Sequence, residues 1–206
     1  YGVQRIDYRG VINIPTGCGN DWILSWDLCC RNATVNTLSD PSNQGTYIET
    51  KLDNTLSPCN SSPQFLNDPV PFYCVNSAVN YNHGVVDANG DSLVFSFSTP
   101  FNTQGTPVTY AAGFSAANPI NTASGFNINS VTGDITFTPT QQQTGVSAVK
   151  VDEYRNGVLI GSVTRDMQFT IINCNNALPT ASGINGTTSF RDTICAGAQL
   201  SLIHIS

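Results

Sequence analysis

Polar and apolar positions alternate at close to period two along most of this chain, and few stretches carry the three-to-four spacing of an amphipathic helix. The runs "RIDYRGVINI" (5–14) and "DWILSWDLCC" (21–30) are rich in β-branched and aromatic residues and read as strands. In "TYIETKLDN", Tyr47, Glu49 and Lys51 alternate against Ile48 and Leu52, until "SPCNSSP" breaks the pattern. These strands predict a small first unit over residues 1–61.

Beyond it, residues 71–101, 106–114, 125–139 and 146–174 supply about seven short strands. Turn signals divide them: Asn89-Gly90, Thr132-Gly133-Asp134 and Asn156-Gly157. The last lies inside "EYRNGVLIGSVTRDMQFTII" and predicts a hairpin, because Asn-Gly accepts the left-handed backbone that a two-residue loop needs. The fold class expected is all-β, as tandem β-sandwich domains with disulfides, the main one spanning residues 62–174. The polar run "NNALPTASGING" (175–186) reads as a linker, and residues 187–199 as the start of a further domain. The final "LSLIHIS" (200–206) resembles the translation of a sequencing adapter and is left out of the fold reading. That leaves His83 as the histidine to weigh. With no initiator Met and no signal peptide, the chain reads as an interior piece of a longer protein.

Composition narrows the environment. Charged residues make up 11% of the chain against a usual share of about 25%, and Gly, Pro, Asn, Ser and Thr fill the gap. That is the profile of a turn-rich extracellular protein. A net charge of −6 with eight Lys and Arg argues against nucleic acid and anionic membrane as partners. No run of 18 apolar residues exists, so membrane insertion is not expected.

The cysteines are Cys18, Cys29, Cys30, Cys59, Cys74, Cys174 and Cys195. They lack the paired CxxC or Cys/His spacing of a zinc site and the CxxC of a thioredoxin-type site, so disulfide staples are expected. Adjacent Cys29 and Cys30 would point to opposite faces of a strand. Each should therefore bond elsewhere: Cys18 with one and Cys59 with the other, in an order the sequence does not fix. Cys74 and Cys174 flank the expected sandwich and are paired with each other, which leaves Cys195 over.

The segments "DWILSWDLCCRN", "NHGVVDANGDSLVFSF", "GFNINSVTGDITFTPT" and "EYRNGVLIGSVTRDMQF" resemble the long multi-domain surface proteins of Bacteroidetes. Those proteins carry gliding-motility-associated or type IX secretion sorting domains. Residues from about 62 to 174 resemble an immunoglobulin- or cadherin-like repeat within them. The resemblance implies a secreted or cell-surface β-domain protein, often an adhesin.

One constellation has ion chemistry within reach. In "DANGD", the oxygens of Asp87, Asn89 and Asp91 alternate and Gly90 permits a tight turn, so they can converge on calcium, which takes six to eight oxygen ligands. A similar acidic segment precedes a strand in cadherin-like repeats. Asp134, or Asp152 and Glu153, are the candidates for the missing ligands, with no spacing argument behind them. The other reading is a type I′ turn at Asn89-Gly90 between two strands.

Catalysis finds little in the sequence. His83 has no partner that spacing identifies, and no pair among Asp21, Asp27, Glu49 and Asp53 is selected for glycoside hydrolysis. Trp22 and Trp26 share a strand face with Leu24 and Leu28, so core packing beside the disulfides is the expected role. The sharper alternative is a stacking platform for sugar rings. Asp91-Ser92-Leu93 and Asp192-Thr193-Ile194 resemble bacterial O-glycosylation triplets. The Asn-x-Ser/Thr triplets at Asn32, Asn60 and Asn185 matter only in a eukaryotic host. The functional expectation is a non-enzymatic fragment of an extracellular surface or secreted protein, serving as spacer and adhesion module. Its ligand would be a glycan or a protein surface. The alternative is a carbohydrate-binding or accessory module of a secreted hydrolase.

Overall fold

The computed structural model describes residues 6–15, 22–70 and 72–174. Apart from one 3₁₀ turn at Pro41–Asn43, their regular structure is entirely β. The strands are β1 (Trp22–Leu28), β2 (Thr46–Leu52), β3 (Gln64–Phe65), β4 (Phe72–Cys74), β5 (Val79–Tyr81), β6 (Val85–Val86), β7 (Ser92–Ser98), β8 (Phe101–Thr103), β9 (Thr106–Pro107), β10 (Asn127–Ile128), β11 (Ile135–Phe137), β12 (Gln143–Arg155) and β13 (Val158–Ile172).

The predicted hairpin organises the molecule. Asn156 (φ 53°) and Gly157 (φ 79°) both adopt the left-handed backbone of a type I′ turn, whose twist matches the strands that it joins. β12 and β13 pair from Arg155↔Val158 to Gln143↔Ile171, with one irregularity at Glu153/Tyr154. β7 lines the far side of β12, while β13 receives β2 antiparallel and β4 parallel. The main sheet therefore runs β7-β12-β13-β2-β8-β9, with β1 on the other edge of β2. A three-stranded sheet, β10-β11-β5, and the pair β3-β6 complete the set.

Alternation along β12 and β13 sets the core. Val149, Val151, Val163, Phe169 and Ile171 face one side and meet Tyr81, Phe95, Phe126, Ile135 and Phe137. The small sheet thus packs over the main one in a sandwich-like layering. At its centre the ring of Phe126 stacks on Phe169 at 5.8 Å and lies 4.8 Å from Phe137. On the opposite face, Val146 meets Val35, Leu38 and Val108 from the loops, so β12 is covered on both sides. Its near-continuous burial follows from that double cover rather than from a one-sided pattern. Each fully buried Val or Ile contributes about 1.5–3 kcal/mol of transfer free energy.

An ion pair fastens the loop after β1 to this framework. Arg31 donates to both carboxylate oxygens of Asp166, at 3.1 and 2.5 Å, and to the Phe101 carbonyl at 3.3 Å. The two charged side chains are 4% and 5% exposed.

Two expectations are corrected here. The boundary expected at 61/62 does not divide the chain, because Val163↔Thr50 and Gly161↔Leu52 place β2 in the same sheet as β13. A 60-residue unit buries a smaller share of its surface than a larger domain, and β2 gains a second ladder partner from the hairpin. The chain divides instead between Asn173 and Cys174. The strand expected at 5–14 is not formed over residues 6–14, which lack ladder pairing. The expected linker, further domain and adapter-like tail (175–206), together with Cys18, Asp21 and Cys195, lie outside the described residues.

Candidate cation site and the exposed aromatic strand

β12 delivers the central group of the first site. Val149, Val151 and Glu153 succeed one another at period two, so Glu153 falls at the end of the row that faces the core. It is fully buried. Opposite it on β13 stands Gly161, where a Cβ would come within 3.0 Å of Glu153 Oε2. The glycine leaves the room that the carboxylate fills.

The loop between β6 and β7 brings Asp87 and Asp91 to the same place. One oxygen from each of Asp87, Asp91 and Glu153 lies within 4.8 Å of the others. Asp87 Oδ1 accepts hydrogen bonds from the amides of Asn89 and Asp91, each at 2.9 Å, which closes the loop on itself. Asp87 Oδ2 is buried and has no hydrogen-bond partner. Arg155 donates to both oxygens of Asp91, through Nε at 2.8 Å and Nη2 at 2.5 Å, and holds that carboxyl below the usual range. Its guanidinium also reaches Ser57 Oγ and Asn60 Oδ1. The Asn60 amide in turn donates to both oxygens of Glu153 at 2.8 Å.

Burial, with the neighbouring carboxylates of Asp87 and Asp91, pushes the Glu153 carboxyl up to about 7, against the opposing hydrogen bond from Asn60. Three carboxylates thus share one guanidinium. The donors are hard oxygens, which suits calcium better than a softer metal. Asp87 Oδ2, Asp91 and Glu153 would hold such an ion. Since calcium takes six to eight oxygens, water would complete the shell.

Asn89 stands apart from the other two residues of its motif. Its Oδ1 accepts from the Ser61 amide at 2.8 Å and so braces the neighbouring loop. The type I′ reading is corrected as well. Gly90 has φ 79°, Asn89 is not left-handed, and the flanking strands pair elsewhere, β6 with β3 and β7 with β12. Of the other proposed ligands, Asp134 is held by Asn82 and Thr132. Asp152 projects from the opposite face of β12 and pairs with Lys150. Asn60, Ser57 and Arg155 escaped the sequence reading. The legible sign was a glutamate placed in a row of valines.

The second site is β1. Six of its seven residues are exposed, including Ile23, Leu24, Trp26 and Leu28, while Trp22 is half-buried. The core role expected for Trp22 and Trp26 is corrected: β1 lies at the sheet margin, where the small sheet that covers β7, β12 and β13 does not reach. Leu24↔Thr50 and Trp26↔Ile48 are cross-strand partners, so these four side chains share a face. An open groove of about 250 Å³ runs among them, bordered also by Ser25, Glu49 and Thr164. The Tyr8 ring lies 6.1 Å from that of Trp26.

His83 is buried between Phe65 and Tyr81, its ring centroid 5.5 and 4.9 Å from theirs, with Arg165 Nη1 3.4 Å from Nδ1. Burial first, then the Arg165 charge, lower it to about 4, so it is a neutral packing residue at pH 7. Glu49 accepts from Tyr47 Oη and pairs with Lys51, and Asp53 accepts from Thr55 and Leu56 in a turn. Asp27 sits across from Tyr47.

Among the cysteines, Cys29 and Cys30 are bonded to each other and Cys59 is free and exposed, which corrects the pairing expected for these three. The alternation argument holds inside a strand, and β1 ends at Leu28, one residue before Cys29. Cys74 and Cys174 are each disulfide-bonded.

No protein family, curated protein or solved structure matches the chain.

Proposed function

We propose that this chain is a non-enzymatic β-module of a secreted or cell-surface protein. It would be of the multi-domain kind that Bacteroidetes export by type IX secretion, and would act there as a spacer and adhesion element stiffened by calcium. The observation that carries the reading is the convergence of Asp87, Asp91 and fully buried Glu153 within 4.8 Å. Such a concentration of negative charge beside a single guanidinium is relieved by a divalent cation or by a proton. The unpartnered Asp87 oxygen gives the cation a ligand that costs no existing hydrogen bond. Low charge content and oxidised cysteines are in keeping with an extracellular setting. Isothermal titration calorimetry tests it: calcium should bind at one site, with magnesium weaker, and Asp87→Asn should abolish binding. A flat calcium titration of the disulfide-intact protein contradicts the reading.

The exposed face of β1 favours a second reading, a carbohydrate-binding accessory module. Trp26 offers an aromatic surface, and Ser25, Glu49, Thr50 and Thr164 border the groove with polar groups that suit hydroxyls. A glycan array supports this reading if a binding sugar is lost on Trp26→Ala. An array without hits removes it and leaves the spacer reading in place.

A further inference from the structure

β1 is bonded to β2 along all seven residues, and its other edge has no ladder partner among the described residues. Every second residue of a strand directs its N–H and C=O to each side, so about three or four residues of β1 present unpaired backbone groups. The edge also carries Leu24, Trp26 and Leu28 and has neither proline nor lysine. Natural sheets protect such an edge or cover it.

The chain's own residues 6–14 have the pattern of the missing strand. Ile6, Tyr8, Ile12 and Ile14 fall at even positions with Gly10, and Asp7, Arg9 and Asn13 at odd ones, where Val11 is the one apolar residue. Two contacts fix where this segment runs. The Tyr8 ring meets Trp26, and the Pro15 carbonyl accepts a hydrogen bond from Asn54 at 2.9 Å, two residues past Leu52, the partner of Trp22. Residues 8–15 therefore travel beside β1 in the opposite direction.

Ile6–Ile14 carries no ladder bond in the structure; we infer that in solution it closes onto the free edge of β1 as an additional antiparallel strand, in the register Tyr8↔Leu28, Gly10↔Trp26, Ile12↔Leu24 and Ile14↔Trp22. The register follows from charge and shape. It sets Arg9 opposite Asp27, an attractive cross-strand pair. It places Gly10 opposite Trp26, where an indole can lie over a residue without a side chain. Tyr8 becomes the diagonal neighbour of Trp26, within reach of an aromatic ring. Shifting by two residues, to Tyr8↔Trp26, would set Asp7 against Asp27. In the chosen register the isoleucines at 12 and 14 join Leu24 and Trp22 on one apolar face. The strand removes an adhesive edge, and it borders the Trp26 groove with Tyr8 and Ile12.

Hydrogen exchange on the full disulfide-intact chain tests this, with Arg9→Glu and the exchange Arg9→Glu/Asp27→Arg as variants. The expected result is that alternate amides within 7–13, those that face β1, are protected by more than about tenfold over an unstructured peptide, at a level independent of protein concentration. Arg9→Glu should lose that protection and the double variant should regain it. Exchange at the unstructured rate in the unaltered chain overturns the strand. A double variant as unprotected as Arg9→Glu overturns the register. Protection that rises with concentration assigns the edge to a second copy and overturns the intramolecular strand.

Discussion

Replacing Arg31 by Met tests whether the loop after β1 and the long hairpin form one folded body. Methionine keeps the length and apolar stem of arginine, so little packing volume changes. The guanidinium is lost from a site where its partner, Asp166, is 5% exposed, and the Phe101 carbonyl loses a donor in the same step. Breaking a buried pair from one side costs about 3–5 kcal/mol, because the surviving carboxylate stays buried without its counter-charge. Domains of this size have about 5–15 kcal/mol of stability, and each kcal/mol corresponds to about 2–4 °C in Tm. The variant should therefore melt about 6–20 °C lower. In urea, with disulfides intact, its midpoint should fall with the slope unchanged. Arg31→Met/Asp166→Leu should recover most of the loss, since an apolar pair of similar volume replaces a buried ion pair well. A loss below about 1 kcal/mol, the worth of an exposed pair, would show that Asp166 reaches water once Arg31 is gone and that the pair does not fasten the loop.

Other consequences can be checked independently. His83 is lowered from 6.5 to about 4, so its stability contribution is lost as pH falls through that range, when the unfolded chain takes a proton that the folded one refuses. Glu153, raised from 4.5 to about 7, acts oppositely: its contribution is full below about 4.5 and is lost as pH rises through about 7. Glu153→Gln should thus steepen the fall in stability between pH 6.5 and 4, and an unchanged slope in urea titrations contradicts both assignments. A Cβ on Gly145 would meet Ile120 Cγ2 at 2.6 Å and the Pro119 carbonyl at 2.9 Å. Gly145→Ala should therefore cost about 1–3 kcal/mol by denaturation, and a neutral result would mean that this wall yields freely. Cys59→Ser should leave stability within about 0.5 kcal/mol, as expected of an exposed free thiol. A loss of several kcal/mol would put Cys59 in a disulfide.

The β class and the central hairpin were legible because their signals are local: period-two alternation and an Asn-Gly pair whose backbone preference dictates the turn. The sheet order was not, since β2 joins β13 across more than a hundred residues of chain and no local pattern specifies that partner. The site was half legible. Asp87 and Asp91 stood out by their spacing, but Asn89 turned to the Ser61 amide, and Glu153 reached the cluster through long-range pairing. The tryptophans misled for a related reason. Sharing a strand face says which residues lie together, while the covering layer decides whether that face is buried.

Thermal melts of the disulfide-intact chain with calcium, and then with a chelator, decide whether the three carboxylates hold a cation. A cation that binds only the folded state must raise Tm, and because it competes with a proton at Glu153 the rise should grow as pH climbs through about 7. That rise is expected in the unaltered chain, and its loss in Asp87→Asn and Glu153→Gln. Melts that coincide with and without calcium at pH 8 would contradict it and leave the three carboxylates as a proton-sharing knot around Arg155.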